Sequence, residues 1–219
     1  MTDYILAFAL FLLITLVSTF LHELGHIIPI KMIGGIKFKL QFKIWGAQVL
    51  IDDNHPAVKD SLNLALFVLG GPIITLDLAI LGLLLLFNGP TWTHGVGQLL
   101  ALINFFLFLI NILPIYPLDG WRLAITICQS VLSPITKLLL AALFIVVIFL
   151  SLSIFSSYLW LNLLLTVILG AISFRKLFDQ NDSVPMSPLE TVAILVIYTI
   201  LLLPNILWFT VGFSPFLFF

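Results

Sequence analysis

The sequence predicts an all-α polytopic membrane protein with about six transmembrane helices and a small β-hairpin after the first helix. Its hydrophobic fraction is 62%, its charged fraction is 9% and its mean hydropathy is +1.24. A water-soluble domain is nearer to half apolar and a quarter charged, so a surface of this composition suits lipid rather than water. Several apolar runs also reach the roughly 20 residues that a helix needs to cross a bilayer.

Six apolar segments are separated by breaks of different composition. They cover residues 4–28, 62–87, 98–118, 135–153, 156–173 and 190–210. The fourth and fifth segments are separated only by a serine-spotted stretch, so a tight hairpin and one long bent segment both stay open. No basic region precedes the first segment, and it is longer than the apolar core of a signal peptide. We therefore expect it to be retained as a span.

The basic residues predict the orientation of these spans. Cytoplasmic loops are enriched in Lys and Arg. All nine basic residues fall in or at the edge of the first, third and fifth breaks: Lys31, Lys37, Lys39, Lys43, Lys59, Arg122, Lys137, Arg175 and Lys176. With six spans, this pattern places these three breaks in the cytoplasm and both termini outside. We predict a multi-pass protein of the cell membrane, with the lipid bilayer as its surroundings.

A strictly alternating stretch lies in the first cytoplasmic loop. Apolar residues occupy every second position between residues 36 and 44, namely Ile36, Phe38, Leu40, Phe42 and Ile44. Period two predicts a β-strand, and residues 48–51 are placed to pair back after the Trp45-Gly46 turn. Two interpretations stay open. The strand edge accepts an extended peptide by strand addition, or the hairpin only anchors the loop at the membrane surface.

The strongest local motif is His22-Glu23-Leu24-Gly25-His26, at the cytoplasmic end of the first segment. Residues four apart share one face of a helix, so both imidazoles can reach one metal ion. Zinc at a catalytic site takes three protein ligands and lowers the pKa of its water, for which Glu23 would be the general base. A polar helix-packing cluster or a chance match is the alternative. Ionisable residues at membrane depth are costly, however, and this favours a functional site.

The third segment offers the missing ligand. It ends in Asn111-Ile112-Leu113-Pro114-Ile115-Tyr116-Pro117-Leu118-Asp119-Gly120, and it runs in the same direction as the first segment. Asp119 is therefore expected at the same cytoplasmic depth as the two histidines. The two prolines remove backbone donors, which predicts a broken helix over 114–120. Irregular backbone at this depth is tolerated only where protein or a wet cavity surrounds it. The alternative for Asp119 is a helix-end ion pair with Arg122.

The combination of HExxH in one span with N-x-x-P-x-x-P-L-D-G in a later one resembles the site-2 protease family of intramembrane zinc metalloproteases. The likeness covers about 120 residues. It implies one Zn²⁺ per chain, held by His22, His26 and Asp119, with Glu23 as the catalytic base. It further suggests that Asn111, and less directly Asn104, hold the substrate backbone or the oxyanion. The family's Gly-Pro segment is present as Gly70-Gly71-Pro72, but Thr75 stands where relatives often have Asn, so Thr75 is assigned no catalytic role.

The resemblance implies a single membrane-embedded protease domain over residues 1–219. Its catalytic core covers about 4–125, and accessory helices cover about 135–210. The expected function is cleavage of transmembrane or membrane-associated segments within the bilayer, near the cytoplasmic face. Its partners would be a membrane protein or peptide substrate, with no nucleic acid. The alternative is a membrane metal-binding scaffold without catalysis, or a metal transporter; transport is weaker because the candidate ligands cluster at one depth.

Overall fold

The computed structural model describes residues 2–34, 36–43, 46–51, 55–131, 133–155, 158–175 and 184–211. It is mostly helical. The elements in chain order are α1 (Thr2–Ile33), β1 (Phe38–Lys43), β2 (Gly46–Ile51), α2 (Pro56–Lys59), α3 (Ser61–Asn88), α4 (His94–Asn111), α5 (Asp119–Ser130), α6 (Pro134–Phe155), α7 (Leu159–Phe174) and α8 (Pro188–Val211). A short 3-10 turn over Thr91–Thr93 leads into α4.

Each of the six predicted apolar segments contains a helix, and within the described residues four helices have the length and hydropathy to cross a bilayer. These four are Tyr4–Ile33, Ser61–Asn88, Thr91–Asn111 and Pro134–Ser153. Leu159–Phe174 and Pro188–Pro204 are shorter apolar helices. The fourth and fifth segments form two separate helices, α6 and α7, which removes the interpretation as one bent segment. The described residues thus support a membrane protein with four candidate spans, and six spans stay a prediction.

The third predicted segment is shorter than expected, because α4 ends at Asn111 rather than near residue 118. Pro114 and Pro117 follow, and neither has a backbone N–H with which to continue a helix. A new helix, α5, begins at Asp119. The prediction of a broken helix was therefore right in kind, but the break starts earlier. The stretch from residue 118 to 134, predicted only as a semi-polar break, contains the twelve residues of α5.

The hairpin predicted in the first loop is confirmed. β1 pairs with β2 in antiparallel register, with Phe38 opposite Ile51 and Leu40 opposite Val49. Ile36 precedes the strand, while Ile44 and the turn residue Trp45 lie outside the described residues. β2 packs against α1, and Val49 is buried there. The hairpin is thus attached to the helix that carries HExxH.

The chain divides into two compact units. The first comprises Met1–Val58 with Leu66–Ile110, and the second comprises Lys59–Ala65 with Asn111–Phe219. In the first unit, α1 and α3 cross so closely that a Cβ on Gly25 or on Gly70 would overlap the other residue's carbonyl. Small residues at such crossings let membrane helices pack backbone to backbone.

The second unit is built around α6, which packs against α5, α7 and α8. Its core contains Phe144, whose ring lies 6.2 Å from Phe174 and 5.5 Å from Tyr198 between centroids. Segment 184–187 binds to the start of α3, where the Ser61 amide donates to the Val184 carbonyl at 3.0 Å. The Met186 amide donates to Ser130 Oγ at the end of α5, at 3.3 Å.

Candidate metal centre

The two histidines of the motif lie in the uninterrupted helix α1, and both side chains are buried. The centroids of the His22 and His26 rings are 5.0 Å apart, with an interplanar angle of 86°. This follows from their four-residue spacing, which places them one above the other on a helix face. The local geometry predicted for the motif is therefore present.

A backbone carbonyl of α3 determines which ring nitrogen of His26 carries the proton. His26 Nδ1 lies 2.8 Å from the carbonyl oxygen of Phe67. A carbonyl only accepts hydrogen bonds, so Nδ1 must be the protonated nitrogen and the donor. In the neutral imidazole the lone pair is then on Nε2, the nitrogen that would ligate a metal ion. Metal-ligating histidines commonly use the other ring nitrogen in this way, which fixes both tautomer and ring orientation.

Gly71 keeps open the space beside the two imidazoles. A Cβ at this position would overlap His26 Nε2 and would lie 2.7 Å from His22 Cε1. Both atoms belong to the ring edges at which a metal ion would be bound. The sequence showed Gly70-Gly71-Pro72 only as a family-like segment. Its contribution to the site depends on the close crossing of α1 and α3, which no local pattern reveals.

Glu23 is half-buried, between the two histidines in sequence. Its Oε2 accepts a hydrogen bond from the Val49 amide of β2, at 3.0 Å. Sequence reasoning missed this contact, because any residue's amide can make it and the residue type of Val49 carries no signal. The hairpin therefore does more than anchor a loop: its backbone holds the carboxylate that stands between the candidate ligands.

Asp119 is the first residue of α5 and is half-buried. The turn before it is held by two short hydrogen bonds, from the Ile115 amide to the Leu113 carbonyl and from the Leu118 amide to the Ile115 carbonyl, both 2.8 Å. The Tyr116–Pro117 peptide is cis. Asn111, the last residue of α4, is half-buried at the other end of this turn.

Among the residues that the structure describes, His22 and His26 of the first unit and Asp119 of the second could each offer a ligand atom to a metal ion. Two imidazoles and one carboxylate are a donor set that suits zinc at a catalytic site. The protonated Nδ1 of His26 and the space at Gly71 both agree with a metal at the ring edges. These residues therefore fit the ion that the sequence motif implies.

Asn104 is fully buried in α4, and its amide nitrogen is occupied within the first unit. Nδ2 donates to Ser18 Oγ and to the Leu100 carbonyl, each at 2.9 Å. These bonds tie α4 to α1, and this geometry supports a packing role. An oxyanion role for Asn104 stays a prediction and would require a donor that is already used.

Thr75 is likewise buried, and its hydroxyl bonds to carbonyls of its own helix. Oγ1 lies 2.9 Å from the Pro72 carbonyl and 3.4 Å from the Gly71 carbonyl. Pro72 has no N–H, so α3 is weakened at this point, and the hydroxyl supplies a local hydrogen bond. The contact stabilises the helix turn next to Gly71.

Comparison with known proteins adds no family assignment. No protein-family model and no curated protein matches this chain. The interpretation of the site therefore depends on its residues and their geometry.

Proposed function

We propose that this protein is an intramembrane metalloendopeptidase that uses zinc to cleave transmembrane or membrane-associated protein segments. The observation that carries the proposal is the arrangement of HExxH in α1. Two buried imidazoles share one face of an apolar helix, His26 has its Nδ1 committed to the Phe67 carbonyl, and Glu23 lies between them. This is the arrangement that zinc proteases of the HExxH type require.

His22, His26 and Asp119 would hold the ion. A bound zinc would supply Lewis acidity at the scissile carbonyl and to the attacking water. Burial of the two histidines matters because it limits the access of competing water to the rings. Asp119 adds a negative charge that partly offsets the charge of the ion.

Glu23 would act as the general base and proton shuttle. It would take a proton from the attacking water and pass it to the nitrogen of the leaving amine. The Val49 amide donates to Oε2, so the β2 backbone orients the carboxylate that would transfer the proton. Asn111 would bind the substrate backbone from the end of α4.

The substrate must present an extended backbone to such a site. A helical segment hides its carbonyl groups in its own hydrogen bonds, so it has to unwind before water can attack. The β1–β2 hairpin, attached to α1 beside Glu23, supports strand addition as the way in which the unwound segment is held. The clustering of basic residues supports cleavage near the cytoplasmic face, with both termini outside.

The test is Glu23→Gln in the purified, membrane-reconstituted protein, with zinc content and cleavage of membrane-protein fragments measured together. Zinc binding should persist and cleavage should be lost, because the amide cannot accept the proton. Glu190→Gln is the matched control, since Glu190 is the other glutamate in the sequence and its carboxylate binds the Ser187 amide at the start of α8. Cleavage by Glu23→Gln at the wild-type rate would refute Glu23 as the base.

Further measurements separate the proposed protease from its alternatives. A wild-type protein that binds one zinc per chain but cleaves no membrane segment would be a metal-binding scaffold. Zinc uptake into sealed vesicles would indicate a transporter. Zinc binding that survives both His22→Ala and Asp119→Ala would show that the ligand set is wrong.

A further inference from the structure

The turn between α4 and α5 is held by a tyrosine from the last helix. Tyr198 of α8 is fully buried, with its hydroxyl 3.0 Å from the Ile112 carbonyl and 2.9 Å from the Gly120 carbonyl. These two carbonyls stand at opposite ends of the turn. One hydroxyl proton is therefore shared between the end of α4 and the start of α5.

The hydroxyl replaces a hydrogen bond that the broken helix has lost. In a continuous helix the Ile112 carbonyl would accept from the amide of residue 116. The Tyr116 amide instead donates to Ser173 Oγ on α7, at 3.0 Å. A buried carbonyl without a partner destabilises the fold. Tyr198 thus satisfies a group that the proline-induced break leaves open.

The turn is closed so tightly that its ends are in backbone contact. A Cβ on Gly120 would overlap the carbonyl group of Ile112. Gly120 directly follows Asp119, so any opening of this contact moves the backbone that carries the carboxylate. The Tyr198 hydroxyl bridges the same two residues and holds the contact shut.

Ser173 supports the turn from a second helix. Its Oγ accepts from the Tyr116 amide, and its backbone carbonyl accepts from the Trp121 indole N–H. The Tyr116 and Trp121 rings pack edge to face, 4.8 Å between centroids. Two side chains from α7 and α8 therefore fix both the middle and the ends of the segment that presents Asp119.

We propose that Tyr198, assisted by Ser173, is a positioning residue for Asp119. This inference rests on the proposed function, in which Asp119 is a metal ligand. The tyrosine acts through the Gly120 and Ile112 backbone and touches neither metal nor substrate. Groups that orient a metal ligand from outside the ligand set typically contribute 10–100-fold to metal affinity. α7 and α8 thereby stabilise the candidate metal centre as well as the packing of the second unit.

The experiment measures zinc affinity by chelator competition in the full-length protein, with thermal unfolding of the zinc-free and zinc-loaded forms. Tyr198→Phe keeps the ring that packs against Phe144 and removes only the hydroxyl. We expect roughly tenfold weaker zinc binding. Tyr4→Phe is the matched control, because its side chain is 82% exposed. It should bind zinc as the wild type does.

Two results would overturn the inference. One is unchanged zinc affinity in Tyr198→Phe. If the zinc-free and zinc-loaded forms of this variant lose equal thermal stability, the hydroxyl has a purely structural role. The other result is unchanged zinc affinity in Ser173→Ala, which serves as the second variant if Tyr198→Phe does not fold. It would refute the positioning role. A wild-type protein that binds no zinc would instead refute the proposed function.

Discussion

Substitution of Gly71 by alanine tests the candidate metal centre most directly. The new Cβ would lie 2.7 Å from His22 Cε1, whereas ordinary contact begins at 3.4 Å, and it would overlap His26 Nε2. The His22 ring must therefore move by about 0.7 Å, the difference between these two distances. Metal–ligand distances tolerate changes of only about 0.2 Å. We expect zinc affinity to fall by at least tenfold.

The same geometry predicts that the fold survives. The atoms in conflict are the ends of two imidazole side chains, which can rotate aside in the metal-free protein. Gly70→Ala differs, because its Cβ would overlap the Gly25 carbonyl, and a backbone cannot yield in this way. Gly70→Ala should therefore lower thermal stability, while Gly71→Ala should mainly lower zinc affinity. Gly95→Ala is the neutral control, since nothing lies within 4 Å of its Cβ.

Chelator competition measures the affinity, and the visible spectrum of the cobalt-substituted protein reports the ligand geometry. Gly71→Ala should give weak or altered cobalt bands, and Gly95→Ala should give those of the wild type. Wild-type zinc affinity in a folded Gly71→Ala protein would refute the reasoning, because it would mean that the metal does not bind at the ring edges of His22 and His26.

Two further predictions concern buried polar groups. Asn104→Ala should reduce the free energy of unfolding by about 1 kcal/mol, because it removes the hydrogen bond to Ser18. The turnover of the folded protein should stay nearly unchanged. A 10²–10³-fold loss in kcat with unchanged stability would instead support an oxyanion role. Burial raises the pKa of the Cys128 thiol to about 12, despite the opposing charge of Lys137, so only about one thiol in 10⁴ is ionised at pH 8. Maleimide should therefore label Cys128 slowly in the folded protein and rapidly after unfolding in detergent, and complete labelling of the native form at pH 8 would contradict its burial.

Features that depend on neighbouring residues were predictable from the sequence. The pairing of His22 with His26 needs only helical spacing, and the hairpin follows from a period-two pattern. Helices were likewise predictable in all six apolar segments, because each is a continuous apolar run in the sequence. The end of α4 was placed less well, because apolar character continues past Asn111 although Pro114 and Pro117 stop the helix. Hydropathy reports the solvent that a segment prefers, and backbone hydrogen bonding decides where the helix ends.

The sequence alone indicated a membrane protein and showed the HExxH motif, because composition and residue type can be read without the fold. Only the tertiary structure decided how those side chains are held. The Phe67 carbonyl orients His26 across 41 residues of chain, and the Val49 amide orients Glu23 across 26. The Tyr198 hydroxyl binds the Ile112 carbonyl across 86 residues of chain. Every residue has a carbonyl and nearly every residue an amide, so such contacts leave no mark in the residue pattern and appear only when the helices and strands pack.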